Sequence, residues 1–221
     1  MKFQCRTAGL GRVPARPVTC RGQGSQWPRA LAAGAAHSRT AAAFARLSVG
    51  GLGSGMAASG ARAPFKVMFL CLGNICRSPT AEFVMRKRAE AAGIDVDVAS
   101  SGTGAYHVGD GAYGEMVTAA RDKGYDMSSH SAQQISRKHV SEYDLVVAMD
   151  SSNFADAERR FGKDVEPKLR LFLKDYAPDC GTVDTPDPYY ERNFASVVEL
   201  VEQGCDGLIA AIKAGTESAA E

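Results

Sequence analysis

The chain has 221 residues, 23% of them charged, and a net charge of +1. That total hides a split: residues 1–62 hold Lys2, eight arginines and no acid, so they carry +9 and leave −8 for residues 63–221. An acidic body excludes general nucleic-acid binding, which needs surplus Lys and Arg. No stretch approaches the roughly 20 apolar residues of a membrane span, so neither nucleic acid nor membrane is expected as a partner.

Residues 1–62 are poor in large apolar side chains and rich in Ala, Arg, Gly and Ser. Such a segment cannot bury enough surface to fold alone. Its lack of acid matches an organelle transit peptide. The expected destination is a chloroplast or mitochondrion, with the plastid favoured. Translation from Met56 would instead leave a cytoplasmic protein. A secretory signal is excluded because its best apolar stretch is broken by His37, Ser38 and Arg39. The expected organisation is a disordered leader at 1–62, one domain at 63–216 and a disordered tail at 217–221. Six cysteines without regular close spacing argue for reduced thiols rather than a disulfide framework.

The first element of the body is a buried strand at 65–70, an apolar run after a Pro and before a Gly-containing turn. "SPTAEFVMRKRAEAAG" follows as a helix, with Ser78 as N-cap, Pro79 at the first helical position and Gly93 at the end. "IDVDVASSG" reads as a second strand, and "GAYGEMVTAARDKG" as a helix closed by Gly124. The third strand is 144–150, after which Ser151 and Ser152 can cap a helix into "NFADAERRFG". "PKLRLFL" is a fourth strand. A last helix runs to Lys213, with Phe194, Val197, Val198, Val201, Leu208 and Ile212 on one face. Strands alternating with helices predict an α/β fold, an open parallel sheet covered by helices on both faces. Ligands of such sheets bind beyond the carboxyl ends of the strands.

The turn at that end of the first strand is "CLGNICRSP", residues 71–79. Curled tightly, the loop points successive N–H groups inward and makes a nest for a phosphate-sized anion, and the following helix N-terminus adds partial positive charge. Gly73 and Asn74 tolerate left-handed or cramped backbone. Arg77 can grip two phosphate oxygens at once. Thiols facing such donors ionise readily and attack phosphorus well, which makes Cys71 the candidate nucleophile. Ser78 can both cap the helix and hydrogen-bond the sulfur. Cys76 fits packing as well as a redox role. A phosphorylated cysteine needs a proton donor for the leaving oxygen and later a base for water, and one carboxyl can serve both. Asp187 in "DTPDPYYERN" is that candidate, with Asp184 as competitor and Tyr189 and Tyr190 placed to flank an aromatic ring.

"CLGNICRSP" followed about 110 residues later by "DPYY" resembles the low molecular weight protein tyrosine phosphatase family. The resemblance covers about Phe65 to Lys213 and includes "SSGTGAYHVGD" and "YDLVVAMDSSN". It implies a four-stranded parallel sheet, a phosphocysteine intermediate on Cys71, no metal or other cofactor, and a monomer. The implied substrates are phosphotyrosine proteins and aryl phosphates, with inorganic phosphate as product and competing ligand. Arg77 is implied as phosphate clamp and Asp187 as general acid, then base. Leu72, Gly73, Asn74, Ile75, Cys76 and Ser78 complete the phosphate loop. Tyr106, Tyr189 and Tyr190 form the substrate slot, with Leu72 at its edge. The resemblance also points to a protective disulfide between Cys71 and Cys76.

The chain departs from the family pattern in places. Ser-Ala-Gln-Gln follows His130 where Arg-Ala-Arg-Gln is common, and Glu191 stands where Gly often follows the tyrosines. Arsenate reduction on the same fold is the alternative, but Cys180 and Cys205 are not spaced for its relay. Phosphoarginine phosphatases tend to carry Thr where this chain has Ile75. A redox-sensing phosphate binder without turnover is the alternative from another class, disfavoured by the intact Cys71, Arg77 and Asp187.

Overall fold

The computed structural model describes residues 63–215. The expected transit peptide and tail lie outside the described residues. Four strands, β1 (Phe65–Cys71), β2 (Val96–Gly102), β3 (Leu145–Ala148) and β4 (Leu169–Leu171), form one parallel sheet in the order β2-β1-β3-β4. β1 lies between two neighbours, and its apolar run is buried on both faces. Alternate side chains therefore go to opposite sides. Val67, Phe69 and Cys71 face one core, and Met68 and Leu70 face the other.

The first core is covered by α1 (Arg77–Ala92) and the long α7 (Phe194–Ala214), with α2 (Gly114–Asp122) beside them. The second is covered by α3 (Arg137–Glu142) and α4 (Ser151–Phe161). α5 (Phe172–Tyr176) follows β4, and Phe172 meets Phe69 edge-on at 5.5 Å. α6 (Pro188–Glu191) is a single turn before α7. The apolar face of α7 is as expected at Val197, Val198, Val201 and Leu208, which are buried, while Phe194 and Ile212 are half-buried. Among the described residues no helix is long and apolar enough to cross a membrane.

Several boundaries differ from expectation. α1 starts at Arg77, with Cys76 in the N-cap position and no capping side chain, so Ser78 does not cap it. Asp150, not Ser151 or Ser152, caps α4 by accepting from the Asn153 N–H. The fourth strand keeps only three residues. Pro167 lies in a 3-10 turn before it, and the chain curls into α5 directly after. The Asp187 segment is not a plain loop: Asp187 caps α6 through the Tyr189 N–H.

α7 also contains Gly204 and Gly207, which are poor helix formers kept for close approach. A Cβ on Gly204 would fall 2.4 Å from the Phe172 ring, and one on Gly207 would fall 1.7 Å from the Tyr176 carbonyl oxygen. Ala for Gly in a helix ordinarily stabilises by about 0.5–1 kcal/mol. Overpacking costs about 1–3 kcal/mol or more, and here the obstacle is backbone. Gly207→Ala is therefore expected to lower the urea midpoint at unchanged slope. A raised midpoint would contradict this packing of α5 on α7.

Candidate active site

β1 delivers Cys71 to the carboxyl edge of the sheet, opposite Gly102 of β2. The chain then turns sharply, and a Cβ on Gly102 would sit 2.7 Å from the Leu72 carbonyl oxygen. The reversal falls on Asn74, whose φ is +57°. Asn is among the few side chains that tolerate this region. Gly73 does not share it; its need is space, since a Cβ there would lie 3.1 Å from the His107 ring.

Asn74 is fully buried and every polar group of its side chain is used. Its Nδ2 donates to Ser78 Oγ at 2.9 Å and to Ser100 Oγ at 2.8 Å. Its Oδ1 accepts from the Gln133 N–H at 2.9 Å, and its carbonyl accepts from His130 Nε2 at 2.7 Å. Ser100 Oγ donates in turn to Glu82 Oε2. One side chain thus ties the loop to β2, to α1 and to the segment after α2.

Cys71 Sγ lies 3.0 Å from Ser78 Oγ and accepts from the Asn74 N–H at 3.3 Å. Ser78 already accepts from Asn74 Nδ2, and its own proton has two acceptors within reach, the Cys71 sulfur and the Ser101 carbonyl at 3.3 Å. Because no side chain caps α1 and no acid stands in its first turn, the first N–H groups stay available to an anion. Cys76 is buried beside them. Burial first, then the charges of Cys71 and Asp187, push its thiol up to about 12. Cys76 is thus a poor nucleophile near neutral pH, and Cys71 remains the loop's candidate.

Arg77 is buried, with 4% exposure. Its Nη1 donates to an Asp150 carboxylate oxygen and to the Thr185 carbonyl at 3.3 Å, and its Nη2 donates to Asp187 Oδ2 at 2.9 Å. Burial opposes the guanidinium charge, but Cys71, Asp187 and Asp150 outweigh it and raise the pKa. Asp184 is elsewhere: its Oδ1 accepts from the backbone N–H and hydroxyl of Ser151 at the start of α4. Of the two candidate acids, only Asp187 reaches the cleft.

The cleft has a volume of about 420 Å³. Cys71, Leu72, Gly73, Ile75, Cys76, Arg77 and Asp187 line it together with Tyr106, His107, Tyr189 and Tyr190. Tyr106 and Tyr190 are the most open, at 81% and 75% exposed. Cys180 and Cys205 do not line it; Cys205 is buried against the Ala81 carbonyl, and its thiol is raised by burial. Among the described residues no cluster of His, Cys, Asp and Glu is arranged to hold a metal ion.

Sequence reasoning missed Asp150, Ser100, Glu82, His107 and the bracing role of the segment after His130. Gln133 Nε2 donates to the Ser100 carbonyl and Gln134 Nε2 to the Thr103 carbonyl, so Gln133, which stands where Arg is common, and Gln134, which keeps the usual pattern, both brace the strand end. Asp150 had one usable signal, its position just past the carboxyl end of a buried strand.

A parallel sheet with a thiol nucleophile, an anion nest and a carboxyl at one strand end defines the class of cysteine-dependent phosphatases. The low molecular weight phosphotyrosine protein phosphatase family matches residues 66–218. A low molecular weight protein-tyrosine-phosphatase of Streptomyces coelicolor is 38% identical over 162 residues, 71% of this chain and 98% of that protein. YfkJ of Bacillus subtilis, also described as a low molecular weight protein-tyrosine-phosphatase, is 34% identical over 66% of this chain and 95% of its own length. Its crystal structure superposes with a TM-score of 0.67, covering 71% of this chain and 99% of that one. A protein tyrosine phosphatase from Entamoeba histolytica with Hepes in its active site gives 0.65 at 31% identity, covering 69% and 99%. The chain belongs to the low molecular weight phosphotyrosine protein phosphatase family.

Asn74 offers a test of the loop. Ala at φ +57° costs about 1–2 kcal/mol of backbone strain, which Gly avoids. Asn74→Ala is expected to melt lower than Asn74→Gly. Both should lose about 10- to 100-fold in turnover, because misplacing reacting groups by an ångström has that effect. Full activity in Asn74→Gly would show that the side-chain bonds do not position the loop.

Proposed function

We propose that the chain hydrolyses phosphotyrosine in proteins, and small aryl phosphates, through a phosphocysteine on Cys71. The observation that carries this reading is the convergence of Cys71 Sγ, the Arg77 fork and Asp187 on one cleft walled by tyrosines. The thiolate attacks phosphorus while the loop N–H groups and Arg77 hold the equatorial oxygens. Asp187 gives its proton to the departing phenolate, then takes one from the water that releases phosphate. Tyr106, Tyr189 and Tyr190 flank the substrate ring. The leaving group decides how much the acid matters. A tyrosine phenolate has a conjugate acid of pKa about 10 and needs the proton. A nitrophenolate needs it far less.

Asp187→Asn is therefore expected to slow phosphorylation by about 10²–10⁴-fold on a phosphotyrosine peptide. The loss on para-nitrophenyl phosphate should be much smaller in single-turnover assays. Cys71→Ser should release no phosphate from either. Turnover by a clean Cys71→Ser preparation would refute the assignment, and equal losses in Asp187→Asn would move the acid elsewhere.

We further propose that Cys76 protects Cys71. Peroxide oxidises the Cys71 thiolate to a sulfenic acid with loss of hydroxide. Cys76 then attacks that sulfur, and water leaves as the disulfide forms. Loss of the Cys71 charge removes one cause of the raised Cys76 pKa, but burial, the larger cause, remains. Closure is thus limited by scarce Cys76 thiolate and should quicken about tenfold per pH unit around neutrality. Stopped-flow closure rates across pH measure this. A flat profile, or full dithiol recovery of Cys76→Ser after peroxide, would contradict it.

A further inference from the structure

The residue that ends α6 is Arg192, with φ +57° and ψ 22°. A long side chain in this left-handed region is uncommon and persists where its surroundings hold it there. Here three groups do so. Arg192 Nη1 donates to Tyr113 Oη at 2.9 Å, and Nη2 donates to Glu115 Oε1 at 2.6 Å. The guanidinium also lies 5.1 Å from the centre of the Phe194 ring.

Tyr113 is the hinge of this arrangement. Its N–H donates to the carbonyl of Ile75, inside the phosphate loop, at 2.8 Å. Its ring stacks on Phe194 at 5.8 Å and meets Tyr189 edge-on at 5.4 Å. Tyr189 in turn gives its N–H to Asp187. A continuous path thus runs from the phosphate loop through Tyr113 to both ends of α6, the turn that carries Asp187. Arg192 closes it from the far end.

We propose that Arg192, held by Tyr113 and Glu115, is a positioning residue that sets Asp187 against the leaving-group oxygen. It lines no part of the cleft, so it acts only through the α6 turn. The inference rests on Asp187 being the general acid. An isolated exposed ion pair contributes little to stability. Its consequence here is in placement, because proton donation tolerates little error in distance.

Arg192→Gly is the informative variant, since glycine accepts this backbone conformation without strain while the fork is lost. In the full chain it should melt near the wild-type temperature. Its single-turnover phosphorylation rate should fall about tenfold on a phosphotyrosine peptide, with little change on para-nitrophenyl phosphate. In an Asp187→Asn background the same substitution should have no further effect. Tyr113→Phe removes one prong and keeps the ring; it should show a smaller loss with the same leaving-group dependence, and it serves if Arg192→Gly proves unstable. Equal losses on both substrates, wild-type rates in both variants, or losses that multiply in the Asp187→Asn background would overturn the inference alone. Absence of aryl phosphate hydrolysis by the wild-type chain would overturn the functional reading and this inference with it.

Discussion

The buried amide of Asn74 is the contact on which the site depends. A loop that curls around an anion turns its N–H groups inward, so it cannot hold itself together by ordinary backbone pairing. Something else must fix it. Asn74 takes the one left-handed position and spends both N–H bonds and its oxygen on three different segments. Ser78 is thereby aimed at Cys71, and β2 is held at the distance that Gly102 permits. A buried polar network of this kind is stable only when its members are satisfied, and Ser100 and Glu82 complete this one.

Arg77 poses the opposite problem, a buried charge that also lines the cleft. Burying a guanidinium without partners costs several kcal/mol. Asp150 and Asp187 supply the partners, but from different kinds of element. Asp150 belongs to the start of α4 and also caps that helix, so it is anchored. Asp187 sits on a one-turn helix at the cleft and is the more exposed of the two. One carboxylate thus anchors the guanidinium while the other shares the cleft with Cys71. The same pairing sets the Asp187 carboxyl beside the Arg77 guanidinium at the edge of the cleft.

Legibility followed the range of the interactions. Cys71, Arg77 and the strand, loop and helix around them are contiguous, so local pattern revealed them. Pro188 and two tyrosines marked only a turn around Asp187; the pairing of "DPYY" with the loop motif singled it out, and the structure puts it in the cleft. Asp150 was not legible, since its link to Arg77 spans 73 residues and exists only through the pairing of β1 with β3. The fourth strand was read too long because a short apolar run does not distinguish strand from buried helix; Phe172 and Leu173 belong to α5. Ser78 was expected both to cap α1 and to reach the sulfur; it does only the second, because its hydroxyl is turned inward. Glu191 was noticed only as a departure from pattern, and nothing local marked the role of Arg192 beside it.

The central claim is that phosphate passes through the sulfur of Cys71. Mass spectrometry of rapidly acid-quenched Asp187→Asn protein, mixed with para-nitrophenyl phosphate, tests it directly. Loss of the base should slow hydrolysis of the intermediate and let it accumulate. The account predicts a phosphoryl adduct on the peptide that holds Cys71, located on that residue by fragmentation and absent from Cys71→Ser. Turnover with no adduct at any quench time, or an adduct on Cys76 or a histidine, would contradict it.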